Sequence, residues 1–153
     1  MTSEQLANFA EFLGLLVVAV TLVYLVFRIP RTRTYRTAIG LALAAAFILV
    51  WVNLAVGIIG DSDNVANLMY VGVLVVGIIG AVIARFQPHG MVRALFAMAL
   101  AQALVVAIVL IGGLGVPEKP GTAVILILNG FFVALWLGSA MLFRKAAREQ
   151  TLH

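Results

Sequence analysis

Long apolar runs separated by short polar breaks cover almost the whole chain. Five such runs occur, and the predicted spans are 9–27, 38–60, 67–86, 91–114 and 123–143. Each is close to the ~20 residues that cross a hydrocarbon layer of ~30 Å at 1.5 Å per residue. The pattern predicts an all-α fold: a transmembrane helical bundle of five spans, forming a single integral membrane domain over residues 1–153. The alternative is four spans plus a peripheral N-terminal helix.

Polar and aromatic residues near the breaks predict local features of the helix ends. Thr2 and Gln5 have the spacing of a capping box, so the first helix is expected to start before its apolar run. The sequence Gln-Pro-His-Gly at 87–90 has Pro and Gly where a tight turn needs them. Tyr35 and Tyr70 fit the aromatic belts that form at membrane interfaces.

Composition agrees with lipid as the solvent. The 153 residues are 64% hydrophobic and only 10% charged, whereas soluble domains average about 45–50% apolar and about 25% charged residues. A soluble core of this size would leave too much apolar surface in water. The chain has no cysteine, which excludes disulfides, thiolate chemistry and Cys-ligated metal sites.

Charged residues divide between the two sides of the five-span arrangement. Every Lys and Arg except Lys119 falls on one side, and every Asp and Glu except Glu149 falls on the other. Because Lys and Arg near span ends remain cytoplasmic, the N-terminus is predicted outside and the C-terminus in the cytoplasm. The net charge of +4 therefore indicates orientation and lipid contact rather than binding to nucleic acid. The predicted contacts with anionic lipid are Arg31, Arg33 and Arg36.

Neutral amide side chains at depth are the candidate ligand-binding residues. Gln102 lies near the middle of its span, and Asn53 and Asn129 lie about two turns from the outer ends of theirs. If these side chains converge on one water-accessible cavity, they form an outward-facing pocket for a small solute or cation, with Asn67 at its rim. The acidic turn above that pocket contributes Asp61, Asp63 and Asn64. The alternative, which is favoured, is hydrogen bonding between helices, worth about 0.6 kcal/mol per bond.

The sequence predicts no catalytic machinery. No ionisable side chain lies near the middle of a span, and the 2 histidines fall in a break and at the last position. Proton-coupled carriers and membrane haem sites need such groups at depth, and no Ser or Thr has a base at its own depth. We therefore expect no catalytic residue, no metal site and no cofactor, and the protein is predicted not to be an enzyme.

A central stretch of the chain resembles a known group of membrane proteins. Residues 51–70, with the sequence WVNLAVGIIGDSDNVANLMY, resemble small uncharacterised inner-membrane proteins of proteobacteria, and the similarity continues through 84–91 and 99–104. The resemblance covers the second to fourth spans, about half of the chain. That family has no established activity, so the resemblance implies a bacterial inner (cytoplasmic) membrane and no particular reaction or ligand.

The sequence leaves two main functions open, and a membrane enzyme or a lipid-binding protein that holds anionic head groups at the basic first break is a further alternative. Small residues recur four apart in several spans, as in Gly77 with Ala81 and Gly130 with Ala134, and such faces allow helices to approach closely. They favour a non-catalytic integral membrane protein that acts as an accessory or assembly subunit of a larger complex, or as a small homo-oligomer. The alternative is a small-solute or cation transporter or channel that uses the outward-facing amide pocket.

Overall fold

Five helices contain nearly all of the residues that the structure describes. The computed structural model describes residues 2–28, 31–55, 67–113 and 121–152. The helices are α1 (Ser3–Arg28), α2 (Arg33–Ala55), α3 (Leu68–Ile83), α4 (Pro88–Gly112) and α5 (Thr122–Thr151). The prediction of an all-α bundle is confirmed.

The outer surface of the bundle is suited to lipid. The helices α1, α2, α4 and α5 are long and apolar enough to cross a membrane, and α3, with 16 described residues, is shorter. Large apolar side chains face outward along these helices, and Ile111 is 88% exposed. Water would penalise such surface by about 25 cal/mol per Å², whereas lipid tails do not. The chain is an integral membrane protein, and α1 has the length and composition of a span.

The first helix begins earlier than its apolar run. The Thr2 amide donates to Oε1 of Gln5 at 3.0 Å, and the Gln5 amide donates to Oγ1 of Thr2 at 3.3 Å. This pair is the predicted capping box, which satisfies backbone donors that the first helical turn leaves free. Helix α1 therefore starts at Ser3, before the predicted boundary at residue 9.

The last helix extends beyond the predicted span. Helix α5 continues past residue 143 to Thr151, and Ala146 and Ala147 in this extension are buried. Oγ1 of Thr34, near the start of α2, donates to Oε1 of Glu149 at 3.0 Å. The polar end of α5 is therefore a helix packed on the bundle and not a loose tail.

The turn between α3 and α4 lies earlier than predicted. Pro88 is the first residue of α4, where its missing N–H leaves no helical bond unmade, and Gly90 lies in the first helical turn. The chain reverses instead at Arg85 and Phe86, whose φ angles of 50° and 56° are left-handed. Gly90 serves packing, because a Cβ at this position would overlap Ala84.

Small residues bring α3 close to α4. A Cβ at Gly80 would lie 2.7 Å from Cβ of Ala94, and one at Gly77 would overlap the thioether of Met98. This part of the predicted small-residue pattern forms a contact between helices of the same chain. Gly130 of α5 differs, because a Cβ there would have no neighbour within 4 Å.

The helices lie side by side in the order α1–α2–α5–α4–α3. Helices α2 and α3 contact each other only sparsely, but hydrogen bonds join them near both ends. The Tyr35 hydroxyl donates to the carbonyl of Phe86 at 2.6 Å, and Nδ2 of Asn53 donates to the carbonyl of Asn67 at 3.3 Å. Helix α1 lies mainly along α2, and none of its described side chains is buried.

Both tyrosines expected at the membrane interface are instead inside the bundle. Tyr35 and Tyr70 are each 1% exposed, so the prediction of interfacial belts at these positions is wrong. Tyr35 packs edge-on against Phe143 with 5.2 Å between ring centroids, and the Arg31 guanidinium lies 4.8 Å from its centroid. A hydroxyl buried in this way needs a partner, and Phe86 supplies it.

Candidate functional site

Four polar side chains from three helices form one hydrogen-bonded network in the core, which we call the amide network. Its members are Tyr70 of α3, Gln102 of α4, and Asn129 and Trp136 of α5, each at most 1% exposed. Tyr70 Oη and Gln102 Nε2 both donate to Oδ1 of Asn129, at 3.0 and 3.1 Å. Trp136 Nε1 donates to Oε1 of Gln102 at 2.8 Å.

The donors fix the orientation of both amides. An indole N–H only donates, so the side chain of Gln102 must turn its oxygen toward Trp136 and its NH₂ toward Asn129. Asn129 then receives two hydrogen bonds on Oδ1, and its own Nδ2 donates to the carbonyl of Ile125 at 2.8 Å. Every link therefore has a donor facing an acceptor, and the chain of bonds runs from Trp136 to Asn129 in one direction.

The network is suited to holding helices together. Its groups are neutral, they are buried, and each of the four residues is bonded to at least one other member. Buried polar groups left without partners in lipid are costly, so a satisfied network favours one arrangement of α3, α4 and α5 over others. The network therefore gives the packing of these helices its specificity. Hydrogen bonding between helices is the role that the sequence favoured for these amides.

The structure places the predicted ligand-binding residues in two different settings. Gln102 and Asn129 are together in the amide network, while Asn53 bonds to the backbone of Asn67 between α2 and α3. Oδ1 of Asn53 is buried and has no hydrogen-bond partner among the described residues. The described residues thus do not form the single water-accessible cavity that was expected of Asn53, Gln102 and Asn129. The remaining predicted members, Asp61, Asp63 and Asn64, lie outside the described residues.

A large apolar cleft opens where α2 and α3 are apart. Its volume is about 730 Å³, and apolar side chains of all five helices line it. The lining includes Leu22 of α1, Phe47 of α2, Ile78 of α3, Met98 of α4 and Trp136 of α5. The gap lies between the two places at which hydrogen bonds join α2 to the ends of α3.

Two of the three predicted lipid-binding arginines meet at one end of this cleft. Arg33 and Arg36 line a second cavity of about 450 Å³, together with Phe27 and Gly40. Arg31 does not line it, because its guanidinium stacks on the Tyr35 ring. The structure therefore separates the predicted set of Arg31, Arg33 and Arg36 into a stacked residue and a pair at a cavity.

Two members of the amide network were not predicted from the sequence. Tyr70 was assigned to an interfacial belt, and Trp136 was given no role. A signal for Trp136 exists: it lies seven residues after Asn129, two helical turns along one face of α5. For Tyr70 no comparable signal exists, because its partners are all on other helices.

Comparison with known proteins gives no match, whether with models of protein families, with curated proteins or with solved structures. The resemblance of residues 51–70 to small inner-membrane proteins of proteobacteria accordingly stays a prediction. What the fold establishes by itself is a helical integral membrane protein whose closed amide network lies beside an apolar cleft with a basic end.

Proposed function

We propose that the chain is a non-catalytic integral membrane protein that acts as an accessory or assembly subunit, or as a small homo-oligomer. The observation that carries this proposal is the closure of the amide network. Gln102, which the sequence places near the middle of its span, and Asn129 are bonded to each other and to Trp136 and Tyr70. Their hydrogen-bonding capacity is used to join α3, α4 and α5, which supports a role in packing rather than in handling a solute.

Surfaces for a partner helix remain open on two elements. Helix α1 contributes no described residue to the buried core. On α5, Gly130 and Ala134 are exposed four residues apart, and Phe131 beside them is also exposed. Small residues at this spacing let a second backbone approach, since packing and not hydrophobicity drives association of helices in lipid.

The proposal places the basic end of the bundle in the cytoplasm of a bacterial inner membrane. Contacts bring the start of α2, the α3–α4 turn and the end of α5 together, through Thr34 with Glu149 and Tyr35 with Phe86. Most of the arginines lie on these segments, and basic segments remain cytoplasmic. Because the chain has no cysteine, single-cysteine labelling tests the orientation. An impermeant maleimide should label Gly121→Cys in intact cells and Arg148→Cys only after permeabilisation; the reverse result contradicts the orientation.

Disulfide cross-linking in native membranes tests the association. Gly14→Cys on α1 and Gly130→Cys on α5 are suitable, because a Cβ at either position has no neighbour within 4 Å. Leu104→Cys, on the exposed side of α4, controls for random collision. A homodimer, or one adduct of constant mass with another membrane protein, from Gly14→Cys or Gly130→Cys but not from Leu104→Cys supports the proposal.

Two results contradict the proposed function. One is a monomer by native mass spectrometry together with no adduct from either cysteine position. The other is solute flux above background in proteoliposomes that is abolished by Gln102→Leu, since that outcome gives the amide network the transport role of the alternative hypothesis. Circular dichroism must show that the Gln102→Leu protein is folded. Trp51→Phe, at a half-exposed position outside the amide network, is the control substitution and should leave any flux unchanged.

A further inference from the structure

The apolar cleft and the basic cavity adjoin each other. Val23 of α1 and Gly40 and Leu43 of α2 line both of them. The combined space therefore has a long apolar part within the bundle and one end at which Arg33 and Arg36 supply positive charge. A cavity with this distribution of polarity is complementary to an amphiphile with an anionic head.

The basic end contains a donor that the described protein does not satisfy. Nε of Arg36 is buried and has no hydrogen-bond partner among the described residues. A buried donor without a partner is unfavourable, particularly on a charged group. Because Nε is enclosed, the Arg36 side chain would have to turn toward the cavity, where an anionic oxygen supplies the acceptor for a charge-assisted hydrogen bond.

We propose that these two adjoining cavities together form a binding site for an anionic phospholipid. The phosphate of the head group lies between Arg33 and Arg36, and an acyl tail passes Gly40 and runs between α2 and α3. Gly40 makes the passage open, since a Cβ at this position would have no neighbour within 4 Å. The site differs from general attraction between a basic surface and the membrane because it holds the tail as well as the head.

The depth of the cleft fits one leaflet. Its lining on α2 runs from Ile39 to Val50, which is about 16 Å at 1.5 Å per residue. Half of a ~30 Å hydrocarbon layer is about 15 Å. The lining residues of α3, from Leu74 to Val82, lie toward the end of α3 that carries the basic turn. The cleft thus runs from the basic end to about the bilayer centre, where an acyl tail ends.

Hydrogen bonds between α2 and α3 favour a lipid tail over a helix of another protein as the occupant of the cleft. A partner helix would have to force α2 and α3 apart, and their hydrogen bonds at Tyr35 and Asn53 oppose that movement.

Tryptophan quenching by brominated lipids tests the site in the reconstituted full chain. The chain has 2 tryptophans: Trp136 lines the cleft, and Trp51 is half exposed on the outside. Trp51→Phe leaves Trp136 as the reporter of the cleft, and Trp136→Phe leaves Trp51 as the reporter of bulk lipid. Brominated phosphatidylglycerol, added as a minor component of phosphatidylcholine vesicles, should quench Trp136 more strongly than Trp51. Brominated phosphatidylcholine at the same fraction should not show this difference.

Paired substitutions in the Trp51→Phe background test separately the positive charge of the cavity and the open passage at Gly40. Arg33→Gln with Arg36→Gln should raise the lipid concentration needed for selective quenching of Trp136 by about twenty-five-fold, taking about fivefold for each basic residue. Arg85→Gln with Arg93→Gln removes the same charge from exposed positions outside the cavity, and this pair should change the selective quenching of Trp136 little. Gly40→Leu should block the passage and abolish the effect, while Gly130→Leu, at an equally open glycine, should not.

Three outcomes overturn the proposal. The first is equal quenching of Trp136 by the two brominated lipids. The second is selective quenching that survives both the double arginine substitution and Gly40→Leu. The third is displacement of brominated phosphatidylglycerol by inorganic phosphate alone, which would identify a free anion as the occupant. None of these results depends on whether a protein partner is found by cross-linking.

Discussion

The indole N–H of Trp136 donates a 2.8 Å hydrogen bond to Oε1 of Gln102, and both side chains are fully buried. The bond joins α5 to α4, its neighbour in the side-by-side order and the helix that it contacts most extensively. Because the same Gln102 amide donates to Asn129 on α5, it is held at both of its polar atoms by one neighbouring helix. Rotation of α4 about its axis would break both bonds together.

Trp136→Phe should lower the free energy of unfolding by about 1–3 kcal/mol, since it leaves Oε1 of Gln102 buried without a donor. Unfolding in mixed detergent micelles, followed by circular dichroism, measures the change. Trp51→Phe, at a half-exposed position, should cost less than about 0.5 kcal/mol. The double variant Trp136→Phe with Gln102→Met should lose less free energy of unfolding than the sum of the losses of the two single variants. Equal stability of the two tryptophan variants would contradict the role of this bond.

Glycine-to-alanine substitutions should change stability in opposite directions on different helices. Gly80→Ala places a Cβ 2.7 Å from that of Ala94, which has no flexible end to move aside, so α3 must separate from α4. We expect a loss of about 1–3 kcal/mol. Gly130→Ala enters open space and should gain about 0.5–1 kcal/mol from helix propensity. Gly77→Ala should fall between them, because the Met98 side chain can adjust. The same unfolding assay ranks the three variants, and a Gly80→Ala protein as stable as Gly130→Ala would refute the close contact.

Tyr35→Phe should loosen the connection between α2 and the α3–α4 turn. The Phe86 carbonyl loses its 2.6 Å donor, and we expect a loss of about 1 kcal/mol with faster amide hydrogen exchange at residues 84–87. Tyr24→Phe is the control, because the Tyr24 hydroxyl is exposed on α1 and bonds only to Arg28 among the described residues. Unchanged exchange at the turn in Tyr35→Phe would show that this hydroxyl does not hold it.

Arg85→Gly should stabilise the protein by up to about 1 kcal/mol. Arg85 adopts a φ of 50°, a left-handed conformation that costs an L-residue roughly 1–2 kcal/mol and costs glycine almost nothing. Arg93→Gly tests the opposite case, because Arg93 lies within α4, where glycine costs about 1 kcal/mol relative to alanine. Melting temperatures in detergent should therefore rise for the first variant and fall for the second; a fall in both would contradict the strained turn.

The bundle was predictable from sequence because lipid selects whole apolar runs. The ends of the helices were less predictable, because hydropathy indicates where the membrane ends and not where the helix ends. Ala146, Ala147 and Arg148 are good helix formers, and α5 continues through them although the apolar run has stopped. At the other terminus, Thr2 and Gln5 carry a local signal that predicted the helix start correctly.

The candidate site was predictable only in part. Gln102 and Asn129 stood out as amides at depth, and the structure joins them. Sequence gives each helix its faces but not its rotation relative to its neighbours, so Tyr70 could not be assigned to this pair. Arg33 and Arg36 were identified by charge alone; the cleft beside them depends on the gap between α2 and α3, which no local pattern encodes.

Helix α5 emerges from the ribosome after the other four, and it carries both Asn129 and Trp136. During synthesis, the carboxamide of Gln102 consequently enters the bilayer before either of these partners exists. Until α5 is inserted, the Gln102 carboxamide has no hydrogen-bond partner on α5, and α3 and α4 are not yet joined to that helix. This interval is the stage of synthesis at which an insertase or membrane chaperone would shield the exposed amide.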